Sequence, residues 1–222
     1  MTEVTVPPRM QRRQVGGKGV PIPYFVAEVD GKPDFRYADP MKAHLCAHKN
    51  RCWLCGEPLG AIRCFIGGPT MTITRFSVEP PSHRDCAEYA AQVCPFLMDP
   101  RRERRETKQP DLQPDREGYV PHNAGVCVLY LCNEVRFRVK HVNGGPQYSW
   151  RLGDPLEVCW YTGGRVASRA EALAGLELGI PHVINAVTPG DDQEMSDATK
   201  AIALAHTLLP AARPQETACP VP

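Results

Sequence analysis

Cys52-x-x-Cys55 followed by His83-x-x-Cys86 restricts the fold of this chain more than any other feature of its sequence. Thiolates and imidazoles are ligands that zinc prefers, and two intervening residues let a tight knuckle aim both members of a pair at one ion. The spacing therefore predicts a tetrahedral Zn2+ site made of Cys52, Cys55, His83 and Cys86. Four protein ligands saturate zinc, so the motif argues for a structural ion rather than a catalytic one with an open position. Cys46, His48 and Cys64 lie close enough in sequence to substitute for one of the four.

The residues around the motif predict how it is presented. Tyr24 to Val29 reads as a strand that meets Asp30-Gly31, a dipeptide suited to a tight hairpin turn, and Pro33 to Tyr37 returns. Asp39 before Pro40 reads as an N-cap with proline at the first helical position, opening a helix from Met41 to about His48. The segments Ala61 to Ile66 and Met71 to Ser77 flank Gly67-Gly68-Pro69 and read as a second hairpin. Ser82 is positioned to cap a helix from His83 to about Cys94, where an i, i+3 pair puts His83 and Cys86 on one face. Knuckle, hairpin and ligand-bearing helix follow one another in the order of a treble clef.

That order invites comparison with the HNH-type nucleases, which it resembles in its paired zinc ligands around a hairpin. Those enzymes add a catalytic histidine in the hairpin, whereas positions 56 to 82 here hold no His and no Asn, so the nuclease reading lacks its base. The phrases VPIPYFVAEVDGKPDF, CWLCGEPLG and EPPSHRDCAEYAAQVCPFL resemble a treble-clef-like zinc protein family of bacterial and phage genomes. The resemblance covers roughly residues 20 to 97. It implies one coherent module and brings no activity with it.

Organisation follows from proline and charge. The stretch 101–118, RRERRETKQPDLQPDREG, contains one apolar residue and charges of both signs, so it is expected to be a linker between blocks at 19–100 and 119–209. Residues 1–18 and 210–222 lack periodic apolar pattern and are expected to be flexible ends. In the second block, Val126 to Cys132, Val135 to Val142, Tyr148 to Leu152 and Leu156 to Tyr161 read as strands. Ser168-x-x-Glu171 is a capping box that opens a helix which Gly179 can terminate, and Asp192 or Ser196 opens another. The expected fold class is α+β, with an N-terminal zinc-stabilised treble-clef-like module followed by a small antiparallel sheet and C-terminal helices.

Charge and cysteine use bound the function. With 26 Lys and Arg against 25 Asp and Glu, the chain is no uniform polycation, and any basic recognition has to be local. No apolar run approaches membrane-spanning length, the first residues lack a signal peptide's apolar stretch, and ten cysteines in a reducing compartment read as ligands and core thiols. A cytoplasmic location is the expectation. No Walker, dinucleotide, zinc-protease or nucleophile-elbow motif is present. Two basic features remain: Arg136, Arg138 and Lys140 alternate along one strand, and Arg101, Arg102, Arg104 and Arg105 cluster in the linker. The leading expectation is a zinc-stabilised binding or adaptor protein for a protein or nucleic acid. The alternative is an enzyme acting on nucleic acid or a nucleotide in a cleft between the two blocks.

Overall fold

The computed structural model describes residues 4–17, 19–98, 125–142 and 145–211, and the predicted linker and C-terminal tail lie outside them apart from Pro210 and Ala211. The fold is mixed α+β, built from small antiparallel sheets and helices. Its first half holds α1 (Pro8–Gln11), the hairpin β1 (Val26–Val29) and β2 (Lys32–Ala38), then α2 (Pro40–Lys49) and β3 (Arg63–Gly67). There follow α3 (Met71–Thr74), β4 (Phe76–Ser77), α4 (Arg84–Val93) and α5 (Pro95–Met98). The second half comprises β5 (Cys127–Cys132), β6 (Val135–Val142), β7 (Gly145–Leu152), β8 (Glu157–Thr162), β9 (Arg165–Val166), α6 (Arg169–Asn185) and α7 (Asp192–Thr207).

Local signals in the sequence place most of these elements. Asp30 and Gly31 both take left-handed backbone, at φ 53° and 72°, which matches the twist of the β1–β2 hairpin they close. The Asp39 side chain accepts from the N–H groups of Met41 and Lys42, and Pro40 sits where its missing N–H costs nothing. Ser168 and Glu171 form the reciprocal capping box of α6.

Four local expectations need correction. Met71 to Thr74 is one helical turn rather than a returning strand, and β4 retains only Phe76 and Ser77. His83, not Ser82, is the N-cap of α4, since Ser82 is drawn into a bridge opposite Cys64. Asp191 caps α7 by accepting from the Glu194 N–H. Helix α6 runs through Gly179 and Pro181 to Asn185, and a Cβ at Gly179 would lie 2.6 Å from Thr70 Cγ2, so close packing accounts for this glycine.

Two sheets organise the core, and each draws strands from both sides of 101–118. Strand order is β3-β5-β8-β9 in one and β4-β7-β6 in the other. The central strand β5 is buried along its whole length because both its faces are covered. Cys127, Leu129 and Leu131 meet Ala87 and Ala91 of α4, whereas Val128, Tyr130 and Cys132 join Phe65, Trp150, Trp160 and Leu176 in the largest apolar cluster. Trp160 Nε1 donates to the Leu208 carbonyl at 2.9 Å, tying β8 to the end of α7.

The N-terminal segment also differs from expectation. Met10 is 2% exposed within a third cluster beside Leu54, Leu59 and Tyr89, and Arg9 pairs with Asp85 at 2.8 Å. Met10 anchors this segment with Val4 and Val6 packed against the same cluster, too few apolar positions to register as periodic pattern. Among the described residues no helix is long and apolar enough to cross a membrane.

Candidate metal centre and basic sheet face

Cys52 and Cys55 sit on a knuckle whose backbone explains their convergence. The Cys52 N–H donates to the Glu57 carbonyl at 2.8 Å, the Gly56 N–H to the Cys52 carbonyl at 2.9 Å, and Arg51 bridges Pro58. Gly56 supplies the left-handed turn at φ 83°, where a Cβ would lie 2.6 Å from the Tyr24 ring. The knuckle is clasped from both sides: Tyr24 N–H donates to Leu54 O at 2.7 Å, and Trp53 N–H donates to Pro81 O at 3.0 Å. Phe25 stacks on Trp53 with ring centroids 4.7 Å apart.

Helix α4 brings the other two donors. His83 is its N-cap and Cys86 lies in its first turn, beside the orphan N–H groups that favour negative charge. One donor atom from each of Cys52, Cys55, His83 and Cys86 falls within 4.8 Å of the other three. All but His83 are buried. Metal–thiolate bonds of about 2.3 Å at tetrahedral angles separate two sulfurs by about 3.8 Å, inside that spread. Cys46, Cys64 and His48 stand apart from the cluster: Cys46 donates to the Cys52 carbonyl at 3.8 Å, Cys64 lies under α4, and His48 faces the second sheet.

The chemistry of the donors fits a bound cation. His83 Nε2 is 3.0 Å from the Pro58 carbonyl, which can only accept, so Nε2 bears a hydrogen and Nδ1 is the ring nitrogen turned toward Cys55 Sγ at 3.4 Å. Backbone N–H groups of Cys55 and His83 donate to Cys52 Sγ, each at 3.4 Å, and that of Glu57 to Cys55 Sγ at 3.5 Å. Such bonds favour thiolates. Hydrogen bonds from Cys55 and Cys86 hold Cys52 far below the ordinary thiol range, Cys52 in turn pushes Cys86 far above it, and His83 is raised to about 10 by Cys52 and then Cys55. A divalent cation would take the place of the protons that Cys86 and His83 otherwise hold.

The other sulfur atoms are unlike these. Burial pushes Cys127 up to about 12, Cys132 to about 11 and Cys159 to about 12, which suits thiols that pack and do not react. Beside the Cys/His cluster, an open groove of about 320 Å³ is lined by Arg9, His83, Arg84, Asp85 and Glu157, among others. Its titratable groups are already engaged. Arg9 holds Asp85, Arg84 grips both oxygens of Glu157 at 2.8 and 2.7 Å, and both His83 ring nitrogens are occupied.

Arg136, Arg138 and Lys140 are exposed on β6, and pairing shows what shares their face. Directly across on β7 stand Arg151, Ser149 and Gln147 respectively, and Phe76 of β4 completes the Arg151 row. The Arg151 guanidinium lies 5.1 Å from the Phe76 ring centroid. Sequence reading missed Arg151, Ser149, Gln147 and Phe76 because face membership depends on register between strands. On the opposite face, α2 backs the ribbon: His48 meets Phe137 and Tyr148 edge-on at 5.3 and 5.8 Å, and His44 Nδ1 is 2.8 Å from the Tyr148 hydroxyl. The four arginines at 101, 102, 104 and 105 lie outside the described residues.

No known protein family, curated protein or solved structure matches this chain.

Proposed function

We propose that this chain is a zinc-stabilised nucleic-acid-binding protein in which the ion fixes the first half of the fold and the β6–β7 face meets the phosphates. Zinc is favoured for the Cys3His set because thiolates select a soft, tetrahedral ion. Knuckle, β3 and α4 follow the treble-clef order, with the return strand reduced to Ser82 opposite Cys64. Zinc here supplies a cross-link and no open coordination site. None of the nine cysteines among the described residues forms a disulfide, in keeping with a reducing, cytoplasmic setting.

One observation carries the nucleic-acid reading. Residues 135–152 hold four of the chain's 26 basic residues and none of its 25 acids, so a chain of net charge +1 concentrates +4 in this hairpin and −3 elsewhere. Arg136, Arg138 and Lys140 make no ion pair with any described residue, and Arg136 directly faces Arg151, a like-charge pairing that an isolated sheet disfavours. An anion resolves it. The enzyme reading is weaker because the groove beside the metal contains no unengaged acid or base. Replacing Arg136, Arg138 and Lys140 together with alanine should lower the slope of log affinity against log salt by about 2 to 3, on the rule of roughly 0.9 per phosphate contact. Zinc content should stay unchanged. An unaltered slope, or no binding to DNA or RNA at low salt, would pass the leading place to a protein-adaptor role.

A further inference from the structure

Resting on the nucleic-acid reading above, the geometry points to double-stranded DNA as the ligand, with the β6–β7 ribbon lying in the major groove. Strand β4 pairs only with Trp150 and Arg151 of β7, so beyond that row the sheet is a two-stranded ribbon. B-DNA's major groove, about 12 Å wide, admits such a ribbon, whose strands lie about 4.8 Å apart. From Arg136 to Lys140 the cationic row rises about 14 Å, the length of about four base pairs.

The ribbon's register sorts its side chains by role. Arg138 faces Ser149 and Lys140 faces Gln147 across the strands, which places donors and acceptors side by side on the outward surface. Arginine can bond the O6 and N7 of guanine, and glutamine the N6 and N7 of adenine. Arg136 and Arg151, one row nearer the body of the protein, are positioned for flanking phosphates. Helix α2 supports the opposite side through His48, Phe137 and Tyr148, so the cationic face is presented outward on a fixed backing.

Two competing ligands suit this surface less well. Single strands are gripped chiefly by open aromatic rings on which bases stack. The one ring on the cationic face, Phe76, has the Arg151 guanidinium over it. Duplex RNA buries its base edges in a deep, narrow major groove that side chains cannot enter.

Fluorescence anisotropy with the zinc-loaded full chain tests the assignment, using a short duplex DNA, its separated strands and the duplex RNA of the same sequence at low salt. Duplex DNA should bind at least tenfold more tightly than either alternative. Methylation of guanine N7, which blocks the major-groove edge, should weaken binding to the native protein and have much less effect on Arg138→Ala. The minor-groove ligand distamycin should not displace the protein. Arg138→Ala and Gln147→Ala remove side chains outside the apolar core and should leave the melting temperature within a few degrees of the parent, so a loss of affinity reports the contact. Equal affinity for single strands or tighter binding of duplex RNA would overturn the duplex DNA assignment, and displacement by distamycin would overturn the major-groove placement, in each case leaving nucleic-acid binding intact. Absence of binding to all three would overturn both.

Discussion

Gly56 has no freedom to become anything larger, because its φ of 83° and the Tyr24 ring 2.6 Å from an added Cβ exclude a side chain on two separate grounds. Gly56→Ala should therefore destabilise the protein by more than about 1 kcal/mol and weaken zinc retention under a competing chelator. Cys52→Ser should go further, releasing about one zinc per chain in elemental analysis, because binding of the proposed ion would be coupled to folding. A quite different residue, Glu171, links stability to pH. Arg165 and then the Ser168 N–H hold its carboxyl at about 2, down from 4.5. A depressed carboxylate stabilises fully above its unfolded value, and that contribution disappears as pH falls from 4.5 toward 2. Because the pair is well exposed, Glu171→Gln should cost only about 0.5 to 1 kcal/mol at neutral pH. In urea titrations the gap between variant and parent should already narrow by about pH 4. At this scale the sequence was readable: Asp39, Asp30-Gly31 and Ser168-x-x-Glu171 act on backbone within four residues of themselves. Gly179 was not, since the Thr70 methyl that requires it comes from a different part of the chain.

Helix α2 joins the two candidate sites as an element. Its C-terminal end leads into the knuckle through the Arg51 N–H bond to Cys46 O, while His44 and His48 on its flank hold Tyr148 and Phe137 of the ribbon. Phe137→Ala should cost about 0.5 to 1 kcal/mol from the lost ring contacts, and should raise amide hydrogen exchange along β6 and β7 while zinc content is preserved. Exchange confined to α4 and the knuckle would show that α2 does not support the ribbon. Strand periods were visible in the sequence, yet partners were not. Met71 to Thr74 contains three β-branched residues and a methionine, a strand-like composition, but Met71, Thr72 and Ile73 are all buried in one helical turn. Likewise β3 finds its partners in β5 and at Ser82, pairings that no local turn specifies.

For the whole molecule, shared sheets make the halves interdependent. β3 pairs with β5 over five residues, and β4 pairs with β7, so separating the halves would leave β5 without one neighbour and expose part of the main apolar cluster. Cleavage anywhere within 101–118 should therefore leave two fragments that co-elute in native chromatography and part only in denaturant. Removal of zinc by a strong chelator should lower the melting of β5 and β8 together with α4, in one cooperative transition by circular dichroism. Two separated transitions would contradict the interdependence. The α+β class and the Cys/His quartet were foreseeable because composition and short spacings carry them, whereas the interleaved strand order arises from long-range packing.

That interleaving also bears on how the chain is made. Strand β3 leaves the ribosome roughly sixty residues ahead of β5, the neighbour that completes its hydrogen bonds. At about 5 to 20 residues per second, the nascent chain carries an unfinished strand edge for about 3 to 12 s. Both metal-ligand pairs have been translated by then. Capture of the ion during this interval would fasten α4 and the Ser82 bridge against β3, closing the strand at Cys64 on its far edge so that only the side awaiting β5 stays open until that strand emerges.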